Sequence, residues 1–328
     1  MRLKLAASLA ATAIAGSALL AAGSTAWAGT GPGSQTEVTA DVLSSLSIQS
    51  LPTDLSPSLS TARQDTPQSV LKACNTVGTN LKASKCVFGD TKGTKTMVLW
   101  GDSHAFMWFP AVNAVAKAAR WKLVVLLEYG CPVASISVWN PLTKTPYKNC
   151  DLFRANMITT INKLNPSLVV LSEAFTSQAA SAGGAGNTIS NAQWQAALTK
   201  TLKALHSRSM KKLVIGSTAS SSSAAVINPP ACLAVNSAQV QKCTIADTTG
   251  QQAQRTAEKA AATATSTTYV DVMPWLCAPS TSPVTCAAVI GDATGGFKVV
   301  YYSTGHITQT YSLFLTTVMQ AALRPHMK

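Results

Sequence analysis

The chain has 328 residues, with 26 Lys and Arg against 13 Asp and Glu for a formal charge of +13. The cations are scattered, with no Lys/Arg-rich run and no basic stripe interleaved with aromatics, so nucleic-acid binding is not expected. Anionic polymers of a cell envelope are the more natural neighbours of such a surface. Residues 1–28 begin with Arg2 and Lys4, continue through an Ala- and Leu-rich run broken by Gly16 and Gly23, and end in Ala26-Trp27-Ala28. This pattern predicts a secretory signal peptide, hence a secreted, extracytoplasmic product. No Cys follows the predicted cut to carry a lipid, and no later segment offers about 18 consecutive apolar residues to span a membrane. Loss of Arg2 and Lys4 with the leader lowers the charge from +13 to +11.

Residues 29–68 are dominated by Ser, Thr, Pro, Gly and Asp, which predicts a flexible leader ahead of one domain over 69–328. Short Val/Leu/Ile runs at 96–100, 122–127, 167–172, 211–216 and 268–272 predict strands. Helix-period stretches lie between them at 104–119, 150–164, 191–206 and 247–265, with a last one at 308–323. Alternation of this kind implies an α/β fold, a doubly wound sheet of five parallel strands. Residues 217–225 form a low-complexity loop within it.

All eight cysteines, Cys74, Cys86, Cys131, Cys150, Cys232, Cys243, Cys277 and Cys286, follow the leader, as expected in an oxidising compartment. They fall into four sequence-local couples, predicting disulfides 74 with 86, 131 with 150, 232 with 243 and 277 with 286. No C-x-x-C or H-x-x-x-H spacing occurs, so no metal site is expected, nor any cofactor.

The chemistry-bearing stretch is Trp100-Gly101-Asp102-Ser103-His104, where a strand ends, Gly permits a tight turn and Ser arrives as a helix begins. In an open α/β sheet ligands gather at the carboxyl ends of strands. A Ser at a helix N-terminus also has free backbone amides beside it, its own included, that can stabilise an oxyanion. Helix capping by Asp102 or Ser103 is the alternative use of the same residues. A nucleophilic Ser needs an imidazole as base. Of four histidines, His206 ends a helix as a dipole partner, His326 sits in the tail, and His104 is expected to point away from Ser103. His306 remains, in a loop between a strand-like run and the last helix.

Taken together, Cys86-Val87-Phe88-Gly89-Asp90, Gly101-Asp102-Ser103-His104, Tyr129-Gly130-Cys131-Pro132, Val270-Asp271-Val272-Met273-Pro274-Trp275-Leu276-Cys277 and Gly305-His306-Ile307-Thr308 resemble the SGNH domain of membrane acyltransferase-3 proteins, over roughly residues 70–324. The resemblance implies a flavodoxin-like α/β/α fold, Ser103 as nucleophile, His306 as base and an oxyanion hole from the amides of Ser103 and Gly130. It further implies acyl transfer to, or removal from, sugar hydroxyls of envelope glycans. Three departures stand out. The Asp expected three residues before the His is Ser303, which leaves its hydroxyl, a backbone carbonyl or the nearest upstream acid, Asp292, as candidates to orient His306. The Asn oxyanion donor after the next strand has no match, leaving Ser172 as a possible replacement. The usual multi-pass membrane module does not accompany the domain here, so the acyl donor is expected to be a separate membrane acyltransferase, or the acceptor to be water.

Three functions compete on this basis: a secreted serine esterase or O-acyltransferase, a catalytically weak glycan-binding module that kept the cleft, and a structural envelope protein. Trp100, Trp108, Trp121 and Trp275 are open between sugar stacking and core packing. A monomer is expected.

Overall fold

The computed structural model describes residues 31–70, 83–140, 143–175, 188–207, 209–224, 226–292 and 295–328. The signal-peptide reading of residues 1–28 therefore falls outside the described residues. The central sheet consists of β1 (Val87–Gly89), β2 (Thr96–Gly101), β3 (Lys122–Leu127), β4 (Leu168–Ser172), β5 (Lys211–Ile215) and β6 (Thr268–Val270). Their spatial order is β1-β3-β2-β4-β5-β6. The five predicted strands are all parallel, while β1 adds an antiparallel edge that its three residues were too short to announce.

Strand residues alternate between two cores, as a two-sided buried sheet requires. Met97, Leu99, Leu123, Val125 and Val170 face one layer, whereas Val98, Trp100, Val124, Leu126 and Val169 face the other. The first layer holds α1 (Gln35–Ser45), α2 (Ser103–Ala118) and the C-terminal pair α6 (Gln309–Phe314) and α7 (Thr316–Leu323). The second holds α3 (Lys148–Leu164), α4 (Asn191–Ala204) and α5 (Thr249–Thr263). The last helix, expected as one piece, is broken at Leu315 between α6 and α7. Among the described residues no helix is long and apolar enough to cross a membrane.

Three of the predicted disulfides are present: Cys131–Cys150, Cys232–Cys243 and Cys277–Cys286. Cys86 is disulfide-bonded too, and its predicted partner Cys74 lies outside the described residues.

Residues 31–70 correct the expectation of a flexible leader. Ser34 caps α1 through the Glu37 amide, and Val38 and Val42 on its inner face are 0% exposed in the main core. Further along, Leu51, Leu55 and Leu59 pack on a small core built around Leu233, Val240 and Val289. Asp65 then accepts from the amides of Gln309 (2.8 Å) and Thr310 (2.9 Å), tying this segment to the start of α6. A few apolar residues spaced along a polar sequence suffice once the domain supplies the surface they cover. Val38→Ala and Val42→Ala are each expected to destabilise the protein by about 2 kcal/mol. Urea unfolding checks this, since a dispensable leader leaves the midpoint unchanged.

Candidate active site

Four loops at the carboxyl edge of the sheet build the site. The first follows β2. Gly101 is required there by close approach, because a Cβ would stand 1.8 Å from the Ser172 carbonyl oxygen on the neighbouring strand. Asp102 caps α2, with Oδ1 accepting from the His104 amide at 2.8 Å. Ser103 occupies the first helical position, where an amide has no intrahelical acceptor. Of the two candidate caps it is Asp102 that caps the helix, which leaves the Ser103 hydroxyl out of the cap.

The second loop follows β3. Gly130 (φ +65°) turns the chain, and the Cys131 amide closes the turn on the Glu128 carbonyl at 3.2 Å. Cys131–Cys150 ties the turn to the first turn of α3, and the Tyr147 hydroxyl donates to Glu128 Oε1 at 2.6 Å. The third loop follows β4. Ser172 is fully buried there, with its hydroxyl unpartnered, at the position read as a replacement oxyanion donor.

Buried carboxylates bind these loops together. Asp102 Oδ2 accepts from the Ala174 amide at 2.8 Å, and Glu173 Oε2 accepts from the Ala134 amide at 2.8 Å. Burial pushes the Asp102 carboxyl up to about 7 against the pull of its amide donors, and raises Glu173 well above the carboxylate range. Neither residue stood out in the sequence as a loop tie, because what marks the role is burial against an amide from a distant segment.

The fourth loop carries His306. The hairpin β9 (Tyr301–Ser303) and β10 (His306–Ile307) follows the pair β7 (Val289–Asp292) and β8 (Gly296–Val299). It brings His306 Nε2 to 2.8 Å from Ser103 Oγ. On the other side of the ring, Nδ1 lies 3.0 Å from the Thr304 carbonyl oxygen and 3.3 Å from Ser303 Oγ. A carbonyl only accepts, so Nδ1 carries the proton and Nε2 presents a lone pair to the Ser103 hydroxyl. The position where the resemblance expects Asp is thus filled by a weaker neutral contact, and the backbone sets the tautomer. Asp292 pairs with Gly296 in the β7–β8 hairpin, and its side chain lies outside the described residues.

His104 corrects an expectation: it does not point away from the site. Its ring packs edge-on against His306, with centroids 5.1 Å apart. Burial holds His104 well below the usual imidazole range, so it supports His306 as a neutral wall. The Tyr302 ring also packs on His306, tilted, with centroids 5.5 Å apart. His206 stays at the end of α4, its Nδ1 3.0 Å from the Ala204 carbonyl oxygen. Trp100, Trp108, Trp121 and Trp275 are all buried in the core. Among the described residues the exposed aromatic is instead Tyr129, 39% accessible beside Gly130 and packed edge-on against Phe106.

A Ser–His pair on loops at the carboxyl edge of a three-layer α/β sheet is the layout of the SGNH class. The chain belongs to the family described as SGNH domains fused to AT3 domains, whose model matches residues 73–321. Among solved structures it is similar to the periplasmic domain of a lipopolysaccharide acetyltransferase from Salmonella ser. Paratyphi A. The TM-score is 0.58 at 14% identity, over 82% of this chain and 98% of that one. At that identity the likeness establishes the fold. No curated protein matches the sequence.

Burial lowers the His306 pKa from its ordinary 6.5, partly opposed by the bond to the Thr304 carbonyl. Lowering keeps the ring neutral, and able to accept a proton, at pH values where an exposed His is already charged. Nuclear magnetic resonance of the His306 ring is expected to place its midpoint below pH 6.5; a midpoint at or above that value contradicts this account.

Proposed function

We propose that this protein is an exported, serine-dependent ester hydrolase or O-acyltransferase that acts on acyl esters, acetyl foremost, of envelope carbohydrates. The observation that carries the reading is the 2.8 Å contact between Ser103 Oγ and a His306 Nε2 left unprotonated by the bond from Nδ1 to Thr304. Family membership and the likeness to a lipopolysaccharide acetyltransferase domain support ester chemistry on a sugar hydroxyl. Disulfides, and the absence of a membrane-crossing helix among the described residues, fit an extracytoplasmic location.

In this mechanism Ser103 Oγ attacks the acyl carbon as its proton moves to His306 Nε2. Negative charge builds on the acyl oxygen, and the amides of Ser103 and Gly130 are assigned to receive it. Collapse returns the proton to the departing alcohol oxygen and leaves an acyl-Ser103. Water or a sugar hydroxyl, deprotonated by His306, then attacks the acyl-enzyme, and Ser103 regains its proton. Hydrolysis follows from water; transfer follows when a separate membrane partner supplies the acyl group and a glycan accepts it.

Replacing a carboxylate by a neutral carbonyl at Nδ1 retains orientation but gives up stabilisation of the imidazolium, which in comparable sites is worth orders of magnitude in rate. This favours a second reading, a slow or silent site in a glycan-binding module. Hydrolysis of p-nitrophenyl acetate decides between them. Turnover is expected to vanish in Ser103→Ala and to fall about 100-fold or more in His306→Ala, with unfolding midpoints preserved. Wild-type rates equal to those of the variants would leave glycan binding as the function. Ser303→Asp, which restores a charge beside Nδ1, is expected to raise the rate.

Tyr129 offers its exposed ring to the acceptor sugar at the rim of the same site. Tyr129→Ala is expected to raise KM for an acetylated oligosaccharide about fivefold, equivalent to about 1 kcal/mol of stacking, while leaving p-nitrophenyl acetate kinetics in place. Equal effects on both substrates would remove Tyr129 from sugar recognition.

A further inference from the structure

We propose that the serine-rich stretch 217–221 is a clamp that aims His306 where the carboxylate is missing, with Thr304, Thr218 and Glu258 as positioning residues. The inference rests on the reading of Ser103 and His306 as the reacting pair. The Thr304 carbonyl that orients His306 belongs to the two-residue tip of the β9–β10 hairpin, only two positions from the ring it holds. A carbonyl at a free tip rotates with its peptide plane and selects no tautomer, so the tip itself must be held.

Hydroxyl groups of the tip and of the loop that leaves β5 bind the two together. Thr304 Oγ1 accepts from the Ser221 amide at 2.6 Å and donates to the Ser221 carbonyl at 3.0 Å. Thr218 Oγ1 donates to the Gly305 carbonyl at 2.6 Å, so both residues of the tip are bound. Gly305 has φ +71° and lies so close to the stretch that a Cβ would stand 3.0 Å from that of Ser220. The stretch is anchored in turn. Ser217 donates its amide (3.1 Å) and its hydroxyl (2.8 Å) to the two oxygens of Glu258, a buried residue of α5. Gln251 donates to the Ser220 carbonyl at 2.8 Å from the first turn of α5. A chain of hydrogen bonds thus runs from α5 through the serine-rich stretch to the hairpin tip and into the imidazole. Short hydroxyl side chains suit this work, because those of Thr304 and Thr218 bond backbone groups at close range with little rotamer freedom to lose.

The test reads the ring as well as the rate. Thr304→Val keeps the shape and removes the hydroxyl; p-nitrophenyl acetate turnover is expected to fall about tenfold or more as the tip loosens. ¹⁵N signals of His306, assigned by their loss in His306→Gln, are expected to shift from the single Nδ1-protonated tautomer to a mixture. Thr304→Ser is expected to restore both. Thr218→Val reads out the same clamp from its other arm should Thr304→Val fail to fold. Unchanged rate and ring signals in Thr304→Val overturn the clamp, as does a loss that Thr304→Ser leaves unrepaired. If wild-type protein shows no ester turnover, the functional reading fails, while the ring signals still decide whether the clamp exists.

Discussion

The 2.8 Å bond between Ser103 and His306 joins residues 203 positions apart, and the loops around it are arranged to keep it that short. One partner stands at a helix N-terminus, and the other follows a hairpin tip that belongs to no sheet strand. Neither location is rigid alone. Rigidity comes from the carboxyl edge of the sheet, where Asp102, Glu173 and Glu258 each sit buried and accept amide hydrogens from a neighbouring loop. Neutral amides donate to Asp102 and Glu173, and although Arg154 partly offsets the desolvation of Glu173 and Arg255 that of Glu258, burial raises all three carboxyls. Concentrating such groups beneath the site costs stability there in exchange for fixed geometry.

His306, the proposed base, is held by neutral groups throughout. A carbonyl at Nδ1, a hydroxyl at 3.3 Å, a neutral His104 edge and the Tyr302 ring surround an imidazole that burial keeps uncharged. Such surroundings suit accepting a proton from Ser103 but do less for the imidazolium that results. The first half of a Ser–His mechanism is therefore better served here than the charged intermediate that follows it.

Much of the architecture was legible because buried parallel strands read as short apolar runs, and the stretches between them carry a helical period. The edge strand β1 escaped notice, since three half-buried residues carry no pattern. The segment 31–70 misled because composition measures whether a stretch can build its own core, whereas Val38 and Val42 only had to complete one supplied by the domain. At the site, Ser103 was visible from its strand–turn–helix setting and His306 by elimination among four histidines. The contacts of Glu173, Glu258 and Thr218, each to a backbone group in a distant segment, and of Ser221, whose backbone bonds the Thr304 hydroxyl, were not visible.

Legible along the chain is the inventory: five parallel strands, cysteines in local couples, a Ser where a strand gives way to a helix, and a His in a loop before the last helix. Local periodicity and short spacings carry that information, since they depend only on neighbours along the chain. What the tertiary structure alone decided is which tautomer His306 adopts, what substitutes for the carboxylate absent at Ser303, and how a serine-rich loop bears on both. The ring bond to Thr304 spans two residues, but the proposed hold on that tip runs through hydrogen bonds of 2.6 Å between segments more than 80 residues apart, and no one-dimensional pattern encodes a distance.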